Sequence, residues 1–267
     1  MDFEQIKFEK MDGVGIITLN RPESRNALTS QMVEEIGEAI EACEKPDVRA
    51  VLLTGAGHGF CSGADVKLVL ESLEERGPEG LQQYIRTLAD ALHNKVVLRL
   101  RRLEKPVLGG INGVAAGAGF SLALGCDIRM AATSAQFLMA YANIGAPADG
   151  GSTYLLPRLV GSGRAMSLYL ASQPTSATAA LEMGLVTQVV DAAVLPRHAM
   201  EAAVRLAHGP TLAYARVKAL FNQSWGNDLA TQLNAETDTF AEISQTADFQ
   251  EGIKAFAERR QARFEGK

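Results

Sequence analysis

Two short runs of small residues, each leading into a helical pattern, constrain this chain more than anything else in it. Gly113–Ser121 reads GVAAGAGFS and Phe60–Lys67 reads FCSGADVK. Such runs let a strand end and a helix begin within a few residues, and no bulky side chain covers the backbone N–H groups there. The pattern places the N–H of Ala64 at the start of one helix and those of Gly117 to Gly119 at the start of another, where the helix dipole is positive. Two such donors facing one point stabilise an oxyanion, and a carboxylate beside them moves a proton. Asp149, in the turn Pro147-Ala148-Asp149-Gly150-Gly151, supplies a carboxylate.

Each motif also has a plainer reading. Asp65 has the position of a helix cap, the glycine/alanine run that of close helix–strand packing, and Asp149 that of an ordinary turn residue. Tyr141 and Tyr154 are either hydrogen-bonding neighbours of Asp149 or packing residues. Cys61 and Ser62 are nucleophiles only if a base stands beside them. The chain has four histidines (His58, His93, His198, His208), and only His58 is close in sequence. The glycine spacing is not that of a dinucleotide fingerprint, and no Gly-Lys-Ser/Thr follows to make a phosphate loop.

The totals narrow the class. The chain has 267 residues, 47% hydrophobic, with a formal net charge of -5, enough for a large α/β core without disulfides or metals. The acidic balance argues against a nucleic-acid partner. Three widely spaced cysteines, Cys43, Cys61 and Cys126, read as buried free thiols in a reducing compartment. The start MDFEQIKFEK lacks the charge-then-apolar pattern of a secretory signal, and no apolar run is long enough for a bilayer. The expectation is a cytoplasmic protein, with no membrane, nucleic acid or metal involved.

Along the chain, alternation over 3–10 and the run Val14–Leu19 predict a hairpin around Asp12-Gly13. A helix follows from Thr29 or Ser30 to about Lys45. Strands are expected at 49–54, 107–112, 127–132, 136–139 and 186–190. Helices are expected at about 84–103, 119–124, 152–160 (interrupted near Pro157), 161–171 and 176–183. Residues 71–83, charged and containing Gly77-Pro78, read as a mobile loop. From Leu195 only helical patterns remain, at 196–207, 211–223, 228–246 and 248–264. The division is a β/α core over 1–193 and a helical region over 194–267, with a strand–helix unit recurring after Arg49, Val107 and Asp127.

These segments resemble the enoyl-CoA hydratase/isomerase (crotonase) superfamily. The carriers are Asn20-Arg21-Pro22 with Asn26-Ala27-Leu28, the run Phe60 to Lys67, Ile111 through Gly119, Leu156-Pro157-Arg158-Leu159-Val160-Gly161, and the tail from Ala247 to Gly252 with Phe256, Arg259 and Arg260. The resemblance implies an α/β crotonase fold of stacked β-β-α units with a C-terminal helical region that builds trimers or dimers of trimers. It implies an acyl-CoA thioester substrate, with coenzyme A as part of that substrate and no separate cofactor. The two oxyanion N–H groups carry over to Ala64 and Ala118. For CoA and the acyl group the implied contacts are Arg25, Ala27, Ala64, Asp65, Val66, Lys67 and Tyr141, with Phe256 and Arg259 from the neighbouring subunit.

The hydratases of the superfamily carry two glutamates, at positions that here hold Ser121 and Tyr141. Asp149 matches a third position, used by some isomerases and a dehalogenase. The nearest likeness is to the branch holding the isomerase of phenylacetate degradation. The resemblance therefore implies isomerisation through a thienolate with Asp149 as the single acid/base. Hydration or hydrolysis on the same fold is one alternative, and a non-catalytic CoA-binding protein another.

Overall fold

A computed structural model of the chain describes residues 2–267. It begins with β1 (Ile6–Met11) and β2 (Val14–Leu19), an antiparallel hairpin. Asp12 and Gly13 both have positive φ (52° and 76°), the backbone of a tight turn whose twist matches its strands. Helix α1 (Ser30–Ala42) follows. Thr29 caps it by accepting from the Met32 N–H at 3.0 Å, and Met32, Val33, Ile36, Ala39 and Ile40 form its buried stripe.

Three β-β units then stack. The first is β3 (Ala50–Gly55) and β4 (Gly59–Cys61), leading into α2 (Val66–Ala91). A π-helical turn (Leu92–Val97) and α3 (Leu98–Arg102) carry the chain to the second unit. That unit is β5 (Val107–Ile111), β6 (Val114–Ala116) and α4 (Ala118–Gly125). The third is β7 (Ile128–Ala132) and β8 (Gln136–Leu138). A turn of 3-10 helix (Ala140–Ile144), α5 (Ser152–Val160), α6 (Ser162–Ala171), β9 (Thr175–Ser176), α7 (Ala177–Glu182) and β10 (Gln188–Val190) complete the sheets.

The first strands of the units build one sheet in the order β1-β2-β3-β5-β7-β10, and the second strands build another, β4-β6-β8-β9. Parallel pairing from β2 onward in the first sheet buries both faces, and all five residues of β5 are buried. This is the stacked β-β-α architecture expected of the sequence. Because each unit repeats the step from first sheet to second, successive turns after β4 and β6 come to lie side by side.

Helix α8 (Leu195–Ala207) lays Leu195, Ala199, Ala203 and Ala207 on the sheet as a single buried stripe. Beyond it α9 (Thr211–Ser224) buries Thr211, Ala215 and Lys218, α10 (Leu229–Ile243) has no fully buried residue, and α11 (Ala247–Ala257) buries Asp248 and Ala255.

Several sequence expectations are corrected. Residues 71–83 are not a loop: α2 runs through them and bends at Gly77 (φ 68°, ψ -170°). Pro78, one residue later, starts the next helical stretch, where its missing N–H costs nothing. Pro157 does not interrupt α5, in which it lies near the C-terminal end. Helix α11 ends at Ala257 rather than near 264. The remaining tail packs back, with the Asp248 carboxylate accepting from the Glu265 and Gly266 N–H groups at 2.7 and 2.8 Å.

Candidate active site

The loop Asn20–Leu28 is fixed first. Asn26, fully buried, donates to the Ala56 and Gly59 carbonyls and accepts from the Arg21 N–H at 2.9 Å. Arg21 in turn donates to the Ala27 carbonyl at 2.7 Å and to Asp65 Oδ2 at 2.9 Å. The loop is thereby clamped to the root of α2, where Asp65 also caps the Lys67 N–H at 3.2 Å. Leu28 makes an isolated parallel bridge to Ala64: its N–H donates to the Gly63 carbonyl, and its carbonyl accepts from the Asp65 N–H. In such a bridge the facing residue turns its own N–H and C=O to the opposite side. Ala64 therefore presents its N–H away from Leu28.

The second candidate donor belongs to the neighbouring turn. Ala118 opens α4 behind Gly117, with no side-chain cap, so helix geometry leaves its N–H without an intrahelical partner. The two turns nearly touch: a Cβ at Gly63 would stand 2.9 Å from the Ala116 carbonyl oxygen and 3.4 Å from Ala118 N. The approach of the two turns thus depends on residue 63 having no side chain. Two turns that each carry a backbone N–H are in contact at Gly63.

One turn along α4, buried Ser121 ties in the carboxylate. Its hydroxyl lies 2.9 Å from the Asp149 carbonyl oxygen and 2.9 Å from the Tyr141 hydroxyl, and its single proton serves one or the other. The Tyr141 hydroxyl donates to Asp149 Oδ1 at 2.7 Å. Ser152 Oγ donates to the Asp149 carbonyl at 2.7 Å. Burial first, then the charge of Asp149, holds the Tyr141 phenol well above its usual pKa, so Tyr141 is a neutral donor. Oδ1 accepts the Tyr141 hydrogen bond, and Oδ2 takes none. The Asp149 side chain keeps 37% of its exposure, as does His93, whose Nε2 lies 3.7 Å from Oδ2.

Among the implied contacts, Ala27, Asp65, Ala118 and Tyr141 are buried and Ala64 is half-buried, whereas Arg25, Val66 and Lys67 are exposed around the same turn. Phe256 (86% exposed) and Arg259 lie on and just beyond α11, on the surface of this subunit. Tyr154 does not join Asp149; its ring lies beneath the Arg158 guanidinium, 3.5 Å from the centroid. Cys61 and Ser62 have no histidine partner: Cys61 is buried, its thiol pushed up to about 12 by desolvation, and Ser62 donates to the Ser24 carbonyl at 3.1 Å. Sequence reasoning passed over His93, which no nearby motif marks. Its one signal is chemical, as a histidine within a helix that leads into the second unit. Among the described residues no group of three His, Cys, Asp or Glu is placed to hold a metal ion, and no helix is long and apolar enough to cross a membrane.

Residues 9–267 match the family described as Enoyl-CoA hydratase/isomerase. The chain is 41% identical to the 1,2-epoxyphenylacetyl-CoA isomerase of Escherichia coli (strain K12), with both chains covered in full. It is 36% identical to the short-chain-enoyl-CoA hydratase of Clostridium acetobutylicum, over 97% of each chain. Among solved structures, an enoyl-CoA hydratase from Polaromonas sp. JS666 superposes with a TM-score of 0.90 at 35% identity, covering 97% of this chain and 99% of that one.

Proposed function

Because this chain belongs to the enoyl-CoA hydratase/isomerase family, we propose that it isomerises an enoyl-type acyl-CoA thioester, moving a double bond or opening a ring, with Asp149 as its one acid/base. The observation that carries the reading is the state of Asp149. Its Oδ1 accepts from Tyr141 and its carbonyl from Ser152, with the Ser121 hydroxyl 2.9 Å from that carbonyl, so Oδ2 is left without a hydrogen-bond donor. Proton removal from the acyl chain leaves negative charge on the thioester oxygen. The N–H groups of Ala64 and Ala118 stabilise that charge as it develops. Oδ2 then returns the proton at a second carbon.

On this reading Arg25, Ala27, Asp65, Val66 and Lys67 hold the CoA portion, with Phe256 and Arg259 reaching it from a neighbouring subunit. No cofactor is needed beyond the coenzyme A of the substrate. Exposed Phe221, Trp225, Leu229 and Phe240 on and around α9 and α10 support a homotrimer or a dimer of trimers.

Water addition is the second reading, favoured by the hydratase among the relatives. Against it stand Ser121 and Tyr141, which hold hydrogen bonds where a paired-glutamate mechanism needs carboxylates. The deciding experiment is a panel of acyl-CoA thioesters in deuterated water with wild type and Asp149→Asn. Isomerisation gives deuterium uptake with no added water mass, and Asn lowers kcat by about a thousandfold. Product gaining the mass of water supports hydration; wild-type rates for the Asn variant remove Asp149 from the mechanism.

A further inference from the structure

The π-helical turn Leu92–Val97 is the second irregularity, after the bend at Gly77, in the long helical run between β4 and β5, and it delivers His93 to Asp149. A π turn closes i→i+5 instead of i→i+4 and so redirects the side chains around it. His93 Nε2 accepts from the Gly150 N–H at 3.1 Å. A ring nitrogen that accepts carries a lone pair, so the neutral ring has its proton on Nδ1. The same Nε2 lies 3.7 Å from Asp149 Oδ2, the oxygen that Tyr141 leaves free.

A lone pair beside a carboxylate oxygen gains nothing while Asp149 is ionised. It becomes an acceptor once Oδ2 carries a proton. The geometry points to His93 as a proton-storing partner of Asp149, acting on the substrate only through that carboxylate. This deepens the isomerase reading and rests on it. When the substrate C–H bond breaks, its electron pair enters the thienolate and its proton bonds to Oδ2. The Oδ2–H bond then breaks as Nε2–H forms, giving imidazolium and carboxylate, while Gly150 N–H gives up the lone pair it had used. While it is held on Nε2, between two side chains that are each 37% exposed, that proton exchanges with water. The reverse steps load Oδ2 for delivery to the second carbon. His93 therefore decides how much of the delivered hydrogen comes from solvent and how much returns from the substrate itself.

The test uses the full chain and a short straight-chain 3-enoyl thioester of coenzyme A in deuterated water, with wild type, His93→Gln, His93→Leu and Asp149→Asn. Glutamine accepts from Gly150 through Oε1 but carries no proton onward. The expected result is that His93→Gln keeps KM within about twofold, because it acts after binding, and lowers kcat by up to roughly a hundredfold. Deuterium per turnover falls severalfold. Wild-type kcat and deuterium content in His93→Gln overturn the proposal even if His93→Leu is impaired, since the histidine then only ties the turn. Turnover surviving in Asp149→Asn overturns the isomerase reading and this proposal together. An inactive Asn variant beside an unaffected Gln variant overturns this one alone.

Discussion

The two turns that present Ala64 and Ala118 are built alike and supported differently. Each follows a three-residue strand of the second sheet and opens a helix. The helix after Ala64 is 26 residues long, buries only Ser72 and Leu88, bends at Gly77 and is capped by the Asp65 side chain. The helix after Ala118 is eight residues long, buries all of them and has no side-chain cap. One donor is set in the core; the other sits at the foot of an exposed helix. Sequence change along α2 therefore alters what reaches the site, while the Ala118 donor and the Ser121 tether stay in place.

The sharpest way to break that contrast is Gly119→Val. A Cβ there would fall 2.1 Å from the Cys61 carbonyl oxygen and 2.7 Å from Cys61 Cβ, backbone against backbone at the seam of the two turns. Neither side yields, so the expected cost is about 3 kcal/mol or more, read as loss of soluble protein or a large drop in the denaturant midpoint. A mild effect would mean that the core-set turn is more pliable than its burial implies. Asp65→Ala comes next. It removes a cap and the 2.9 Å pairing with Arg21, for about 2 kcal/mol by chemical denaturation, with a raised KM. Asp65→Asn, which retains the cap, costs less.

Gly77→Ala addresses the exposed half alone. With φ 68° and ψ -170° the position is essentially restricted to glycine, so alanine costs about 1–2 kcal/mol and straightens or strains α2. The expected kinetic signature is a shift in KM across acyl chain lengths with kcat nearly constant. The smallest effect is alkaline. Burial pushes the Cys61 thiol from 9.0 up to about 12, so the folded state holds that proton more tightly than the unfolded state does. The contribution is complete below pH 9 and is lost as pH rises toward 12. Cys43 and Cys126 shift in the same direction. Denaturant midpoints should fall between pH 9 and 10.5, less steeply in Cys61→Ala, and native Cys61 should resist alkylation at pH 8.

What the sequence made legible follows the same division. The long strands, α1 and the glycine/alanine turn came from local pattern, because local chemistry dictates them, whereas the role proposed for Asp149 came from the family resemblance. Strands β4 and β6 were not visible, since each is three residues long and adjoins a glycine-containing turn that reads as coil. Gly77-Pro78 read as a break because both residues discourage a helix interior. Here the glycine takes the bend and the proline starts the next stretch. His93 lies 56 residues before Asp149 in sequence, and only the stacking of units together with a single π turn brings them within 3.7 Å. No spacing rule reports a contact of that kind.

The π turn itself has a consequence for how such a chain diversifies. A helix that closes i→i+5 over 92–97 holds one residue more than an α-helix of the same span needs. Losing one codon from this stretch would let the helix close to α geometry with both flanks kept in register. The core would keep its hydrophobic contacts on α3 while His93 swung away from Asp149. A single in-frame deletion, rather than a series of substitutions, would then separate an Asp149 with a proton store from one that works alone.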